Sequence, residues 1–235
     1  AITVGAQAPA DAAPASALPE TLAPELAQLA TAAPPDPDQW LWELKFDGYR
    51  LLARFDAAGH VRLLTRNGLD WSARMPELAR ALTGLGLHSS WLDGEVVLPD
   101  AQGVPDFAAL QAAFDSGRTG ELVLHLFDAP FLAGHDLRAL PLRERRARLE
   151  AALAAAGPLP AMLRLSQTFD APPASLLASA CALGMEGVMA KRADAPYRSG
   201  RSADWLKLKC RRSDEFVVAG YTDGQGARAA QGELG

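Results

Sequence analysis

Cysteine is scarce in this sequence, with only Cys181 and Cys210 among 235 residues. The two form no CxxC pair and have no histidine cluster beside them. A zinc site is therefore excluded, and a reducing compartment fits better than a disulfide scaffold. No apolar run approaches the ~18 residues of a membrane-spanning helix, and the N-terminus lacks the basic start and apolar core of a signal peptide. These absences describe a cytosolic chain with no membrane partner. Neither GxxxxGK[ST] nor GxGxxG occurs, so the P-loop and Rossmann ways of holding phosphate are excluded. An overall basic balance is missing too, since the formal charge is −5. Net charge hides distribution, however: between Lys191 and Arg212 eight basic residues face only Asp194 and Asp204. A second basic cluster gathers Arg138, Arg143, Arg145, Arg146 and Arg148. Locally basic faces remain compatible with a polyanionic ligand.

What is present reads as an ordinary globular composition, 49% hydrophobic and 22% charged, which excludes wholesale disorder. Residues 1–17 are Ala/Pro-rich and have linker composition. A helix is expected at 20–31, ended by the Pro-rich "AAPPDPD". Strands are expected at Trp40–Phe46 and Tyr49–Phe55, the latter alternating apolar and charged residues and forming a hairpin with "VRLLT". Pro76 starts a helix, Asp106 caps the helix "FAALQAAF", Pro141 opens "LRERRARLEAALAAA", and "PASLLASACALG" is another helix. "WLDGEVVLPD", "LVLHLFD", "GVMAKR", "WLKLKC" and "EFVVAGY" read as strands. Strands and helices mix without regular βαβ alternation, so the fold class is α+β with mostly antiparallel sheets.

The chemistry-bearing residues are weak singly and stronger as a set. "ELKFDGYR" at 43–50 puts Lys45 in a strand, where a lysine more often faces solvent, and "FDG" and "LDGE" are each compatible with plain turn chemistry. Yet strand lysines recur at Lys45, Lys191, Lys207 and Lys209, and acids at Glu43, Asp47, Glu95 and Glu186. Lining one groove, they would give a cationic floor for phosphates and carboxylates for a hard divalent ion. Phe127 and Met189 would supply apolar walls for a base.

"ELKFDGYR" resembles the KxDGxR signature of the covalent nucleotidyltransferases: ATP-dependent DNA ligases, RNA ligases and capping enzymes. "TRNGLDWS" at 65–72, "LDGEVV" at 92–97, "HLFD" at 125–128, "EGVMAK" at 186–191 and "WLKLK" at 205–209 follow in the family's order. "GHDLRALPLRERRARLE" and "YRSGRSADWLKLKC" are similar to the ligase module of the bacterial end-joining ligases. The resemblance runs from about residue 18 to the C-terminus. It departs at "FDAPF", which places Pro130 in an expected strand.

The resemblance implies an ATP-grasp-like adenylyltransferase domain over 18–212 and the start of a truncated OB domain at 213–235. It makes Lys45 the nucleophile that takes AMP from ATP, with Asp47, Lys207 and Lys209 as catalytic companions. A lysine of ordinary pKa near ~10.4 must be held deprotonated for this, by neighbouring cations and desolvation. Glu43, Leu44, Arg50, Arg66, Glu95, Phe127, Met189 and Lys191 become nucleotide contacts: Glu43 reads the adenine amino group, Phe127 and Met189 cover the base's two faces, Arg50 and Arg66 meet ribose or phosphates, and Lys191 meets a phosphate. Glu95 and Glu186 become ligands of Mg²⁺ or Mn²⁺. Arg192, Arg198, Arg201, Arg211 and Arg212 become a track along the DNA backbone. The implied protein is a bacterial, nucleoid-associated monomer acting on nicked or broken duplex DNA, with polymerase and end-processing modules on a longer chain and a Ku-like end-binding partner. Without a full OB domain, poor self-adenylation and sealing are expected. An RNA ligase or a capping guanylyltransferase is the alternative within the superfamily, and a catalytically silent binding module the alternative outside it. An NAD-dependent ligase is excluded by its missing cysteine motif.

Overall fold

A computed structural model describes residues 14–210. Two sheets face each other across a cleft. The first has the strand order β1-β11-β10-β2-β9, and the second β4-β3-β5-β6-β7 with β8 joined to β6. Here β1 is Glu25–Leu29, β2 Trp40–Lys45, β3 Tyr49–Phe55, β4 Val61–Thr65, β5 Ser90–Val97 and β6 Val123–Leu132. The short β7 is His135–Asp136, β8 Leu163–Leu165, β9 Thr168–Phe169, β10 Gly187–Arg192 and β11 Gly200–Lys209. Four helices cover the outer faces: α1 Pro76–Thr83, α2 Phe107–Ser116, α3 Leu142–Ala155 and α4 Pro173–Ala182. Among the described residues only β1·β11 and β6·β8 pair in parallel, so the architecture is α+β with largely antiparallel sheets. Among the described residues no helix is long and apolar enough to cross a membrane.

The strand alternation divides the cores. Leu51, Ala53 and Phe55 of β3 face the main core with Leu63, Leu78, Leu92 and Leu126, whereas Leu52 points to the opposite face with Leu64, Trp91 and Phe131. Leu18 and Leu22 pack on that second face. The other sheet buries Trp42, Val188 and Leu208 beneath α4. Asp106 caps α2 as its sequence position suggests, its carboxylate accepting from the Ala109 amide at 2.9 Å.

Three expectations need correction. Residues 20–31 contain no helix: Glu25–Leu29 is a strand parallel to β11. Pro24 lies inside the expected helix, where it would clash with the preceding turn and remove a hydrogen bond, and the free edge of β11 supplies the partner. Residues 15 and 16, placed in a linker by composition, join the fold through an Ala15–His135 bridge and a Ser16 amide bond to the Gly134 carbonyl. The cysteines are paired rather than free. The order β11-β10 beneath α4 carries the end of α4 to the end of β11, and Cys181 and Cys210 form a disulfide with Cα atoms 5.5 Å apart. Reduction should lower stability by roughly 3–4 kcal/mol for a loop of this length. The check is a lower urea midpoint in excess thiol, matched by a Cys181→Ser variant that no longer responds to thiol.

Pro130 does not break β6, which runs through it. The register between β5 and β6 slips between Trp91 and Asp93, where two residues of β5 span three of β6. A proline needs no ladder partner in such a bulge. The expected strand at "EFVVAGY", with Arg211 and Arg212, lies outside the described residues.

α3 carries an unusual buried stripe: Leu142, Arg145, Arg146, Leu149 and Leu153. Two of the five are arginines from the supposed basic cluster, so that cluster is not a solvated face. Arg145 is fully buried and forks onto Asp128 at 2.8 and 2.7 Å, its remaining nitrogen donating to the Leu140 and Ala195 carbonyls. Arg143 pairs with Asp194 and Arg138 with Asp136 at the surface.

Candidate active site

The cleft between the sheets holds a cavity of about 510 Å³ lined by Glu43, Lys45, Arg50, Arg66, Glu95, Phe127, Met189, Lys191 and Lys207 among others. Two rows of cross-strand neighbours build its walls. In the first sheet Lys45, Gly187 and Lys209 stand side by side across β2, β10 and β11, as do Glu43, Met189 and Lys207. In the second sheet Arg50, Glu95 and His125 form a row across β3, β5 and β6. Neighbours in such rows share one face of the sheet, so residues far apart in sequence converge on one space.

Glycine makes the lysine row possible. A Cβ on Gly187 would lie 2.0 Å from the Leu208 carbonyl oxygen, and its φ of +149° is a conformation that side chains avoid. Glu186, just before it, pairs with both Lys45 and Lys209, the latter at 2.8 Å. Its carboxyl is held below the usual range: burial opposes this, but the hydrogen bonds from Lys209 and Lys45 outweigh it. Burial lowers the Lys207 pKa, and the charges of Lys45 and Lys209 lower it further. The ion pair with Glu186 raises that of Lys209.

The turn after Lys45 is equally constrained. A Cβ on Gly48 would sit 2.1 Å from the Val96 carbonyl oxygen, so the connection to β3 is pressed directly onto β5. Phe46 stacks on His125 with ring centroids 3.9 Å apart. Burial depresses the His125 pKa to about 4, so near neutrality the stack involves an uncharged ring. Asp47 is exposed and acts on Lys209 through its charge.

At the closed end, Glu43 is 2% exposed and accepts from Arg146, Ser166 and Lys191. Lys191 is 1% exposed and lies 3.8 Å from the centre of the Phe127 ring. Burial lowers its pKa to about 8 despite Glu43. Its ammonium therefore meets Glu43 and an aromatic face, away from the lysine row. Leu44 lines the cavity, and Arg66 reaches it from the exposed loop after β4.

Arg50 is fixed by residues that its sequence neighbourhood does not reveal. It forks onto Asp93 at 2.5 and 2.7 Å, donates to the Glu25 carbonyl and lies 4.5 Å from the Phe127 ring centre. The Tyr197 hydroxyl donates to the same Asp93 at 2.7 Å. Glu25 is fully buried, and one of its oxygens has no hydrogen-bond partner among the described residues. Burial raises its pKa to about 7, against the Arg198 amide, Ser202 and Arg145. The folded chain thus keeps this proton longer than the unfolded chain does. Its contribution to stability is complete below pH ~4.5 and is lost as pH rises through about 7. Glu25→Gln should flatten this dependence by at most ~1.4 kcal/mol per pH unit, read from urea midpoints between pH 5 and 8. Burial also raises Glu95 to about 7, so a part of the slope remains in the variant.

Among the described residues no three His, Cys, Asp or Glu side chains cluster as a ready-made metal cage. Glu95 and Glu186 nonetheless approach from opposite sheets closely enough to influence each other. That suits a hard cation carried in on phosphates, which needs only one or two carboxylates.

Residues 21–209 match the family model described as ATP dependent DNA ligase domain. The chain belongs to the ATP-dependent DNA ligase family. It is 54% identical over 217 residues to the multifunctional non-homologous end joining protein LigD of Pseudomonas aeruginosa, a match over 92% of this chain and 25% of that protein. The ligase domain of M. tuberculosis LigD superposes with a TM-score of 0.69 at 35% identity, over 80% of this chain and 60% of that one. A mycobacterial DNA ligase D complexed with ATP and MES gives 0.68 at 38% identity, over the same shares. The chain thus spans about a quarter of the length of its curated LigD relatives.

Of the residues named from the sequence, Glu43, Leu44, Lys45, Arg50, Arg66, Glu95, Phe127, Met189, Lys191 and Lys207 line this cavity, and Asp47, Glu186 and Lys209 do not. Asp93, Arg146, Ser166, Tyr197 and Trp205 went unassigned. The buried stripe on α3 was the available signal for Arg146, since its spacing from Leu142, Leu149 and Leu153 is helical. Of the arginines assigned to DNA, Arg192, Arg198 and Arg201 are described, and none of the three lines the cavity. Arg192 donates to Gln39 at 2.7 Å, Arg198 pairs with Asp204 at 3.2 Å, and Arg201 donates to the Ala27 carbonyl at 2.9 Å.

Proposed function

We propose that this ligase domain catalyses adenylyl transfer, with Lys45 as the nucleophile. The observation that carries this reading is that Lys45, Lys207 and the acceptor Glu43 line one cavity, with Lys209 across Gly187 from Lys45. ATP enters with its base toward Glu43, Phe127 and Met189 and its phosphates toward the lysines. Arg50 and Arg66 meet the ribose and phosphates. The ε-amine of Lys45 attacks the α-phosphorus, a phosphorus–nitrogen bond forms, and pyrophosphate leaves with the electron pair of the broken phosphoanhydride bond. Lys207 within the cleft and the more exposed Lys209 beside it stabilise the charge on the phosphates. Asp47, at the surface beside Lys209, helps to orient the transferred group. Mg²⁺ or Mn²⁺ held by Glu95 and Glu186 would neutralise further phosphate charge when bound.

The AMP then passes to a 5′-phosphate of duplex DNA, and a neighbouring 3′-hydroxyl displaces it to seal the break. Arg192, Arg198 and Arg201 supply backbone contacts that do not read sequence. The likeness to LigD proteins supports a place in the joining of broken ends, alongside further modules of a longer chain and a Ku-like partner. Incubation with ATP and Mn²⁺ followed by intact-mass spectrometry tests the first step. One covalent AMP per chain is expected, and its absence at every nucleotide and metal concentration would remove the covalent mechanism.

A further inference from the structure

Arg146 has no part in the steps above, yet its environment is more specific than packing requires. Arg146 is buried, at 8% exposure. One nitrogen donates to Glu43 Oε1 and to the Phe127 carbonyl, both at 2.9 Å, and the other donates to the Ser166 carbonyl at 2.6 Å. The Ser166 hydroxyl returns to Glu43 Oε2 at 2.9 Å, and Lys191 donates to the same oxygen at 3.0 Å. A single side chain from α3 thereby ties β2, β6 and the turn between β8 and β9 at one point. Two of the residues it ties, Glu43 and Phe127, face the end of the cavity that receives the base.

We infer that Arg146 is a positioning residue that sets base selectivity through Glu43. With Oε2 occupied by Ser166 and Lys191 and Oε1 by one Arg146 nitrogen, an acceptor site of Oε1 remains for the base. The guanidinium fork fixes the direction of that site, which a flexible point charge cannot do. Three donors around the carboxylate keep it an acceptor and not a donor. A base edge that presents an amino group, as adenine does, completes the set. An edge that presents a carbonyl oxygen, as guanine does, sets two acceptors against each other in a site closed to water, and sites of this kind discriminate strongly. Lys191 is the donor closest to rescuing guanine, but it is already engaged by Glu43 and by the faces of Phe127 and Trp205.

This inference rests on the cavity being the nucleotide site, and the test separates the two readings. ATP and GTP affinities are measured by displacement of a fluorescent ATP analogue from wild type, Arg146→Lys, Arg146→Met and Ser166→Ala, with thermal midpoints recorded alongside. Arg146→Lys should reduce the ATP-over-GTP ratio by ~10-fold, and Ser166→Ala by ~3-fold, mostly through weaker ATP binding. In the adenylation reaction the KM for ATP should rise by a larger factor than kcat falls. A merely structural arginine would lower the thermal midpoint and weaken both nucleotides equally. Should Arg146→Met fail to fold, the lysine and serine variants still decide. An unchanged ratio in folded Arg146→Lys and Ser166→Ala would overturn the inference and leave the proposed function standing. Discrimination without any covalent adduct in wild type would do the reverse.

Discussion

Lys45→Ala should form no covalent AMP adduct, with the rate of adduct formation at least ~10⁴-fold below wild type. The size of the loss follows from the absence of a substitute. Lys207 and Lys209 lie on β11, two strands away, and Lys209 is bound to Glu186. In the proposed mechanism neither can reach the α-phosphorus without giving up its place beside the phosphates. The fold should survive, because Lys45 is half-buried at the end of β2 and among the described residues its one ion pair is with Glu186. Nucleotide binding should therefore be largely retained while the adduct disappears. A variant that also lost its thermal transition would say nothing of chemistry, so circular dichroism accompanies the mass measurement. An adduct in Lys45→Ala that mapped to another lysine would place the nucleophile elsewhere.

The largest effect on stability is expected at a pair far from this chemistry. Asp128→Asn should cost roughly 3–5 kcal/mol and lower the thermal midpoint on the order of 10 °C. Both Asp128 and Arg145 have side chains with no exposure at all. Removing the Asp128 charge leaves Arg145 buried without its hydrogen-bonded counter-ion, with Glu25 acting on it only through its charge. Arg145 also closes the carbonyls of Leu140 and Ala195, so the loss would spread to the segment that leads into Tyr197. Replacing both members, as in Arg145→Met with Asp128→Leu, should recover part of the loss, since no isolated charge then remains. The coupling read from such a cycle of single and double variants checks the account. An Asp128→Asn midpoint within a degree or two of wild type would defeat it.

The contrast between these two sites explains what was legible in the sequence. Lys45, Glu43, Lys207 and Lys209 could be found because strand alternation and motif order mark them within short windows. Register then completes the picture: once β2, β10 and β11 are neighbours, Lys45 and Lys209 must flank Gly187. Asp93 and Arg146 could not be found in this way. Arg50 meets Asp93 across 43 residues, and Arg146 meets Glu43 across 103. In a linear reading a helical arginine beside three others is a solvated charge. Only the burial of α3 against β6 turns two of them inward. The error over residues 20–31 has a related cause. "ELAQL" has no strong preference of its own, and the vacant edge of β11 decided the matter. The disulfide likewise depended on where α4 ends above β11, which no spacing rule supplies.

The strand β1 has a consequence for anyone who would move this domain into another protein. Its composition invites a cut near residue 30, just before the Pro-rich stretch. Such a cut would strip the edge of β11, expose Leu52 and Trp91 where Leu18 and Leu22 now lie, and remove the Glu25 carbonyl that steadies Arg50. The segment that looks most like packaging thus belongs to the instrument, and a transplanted ligase domain should carry its N-terminal residues from at least residue 14 onward.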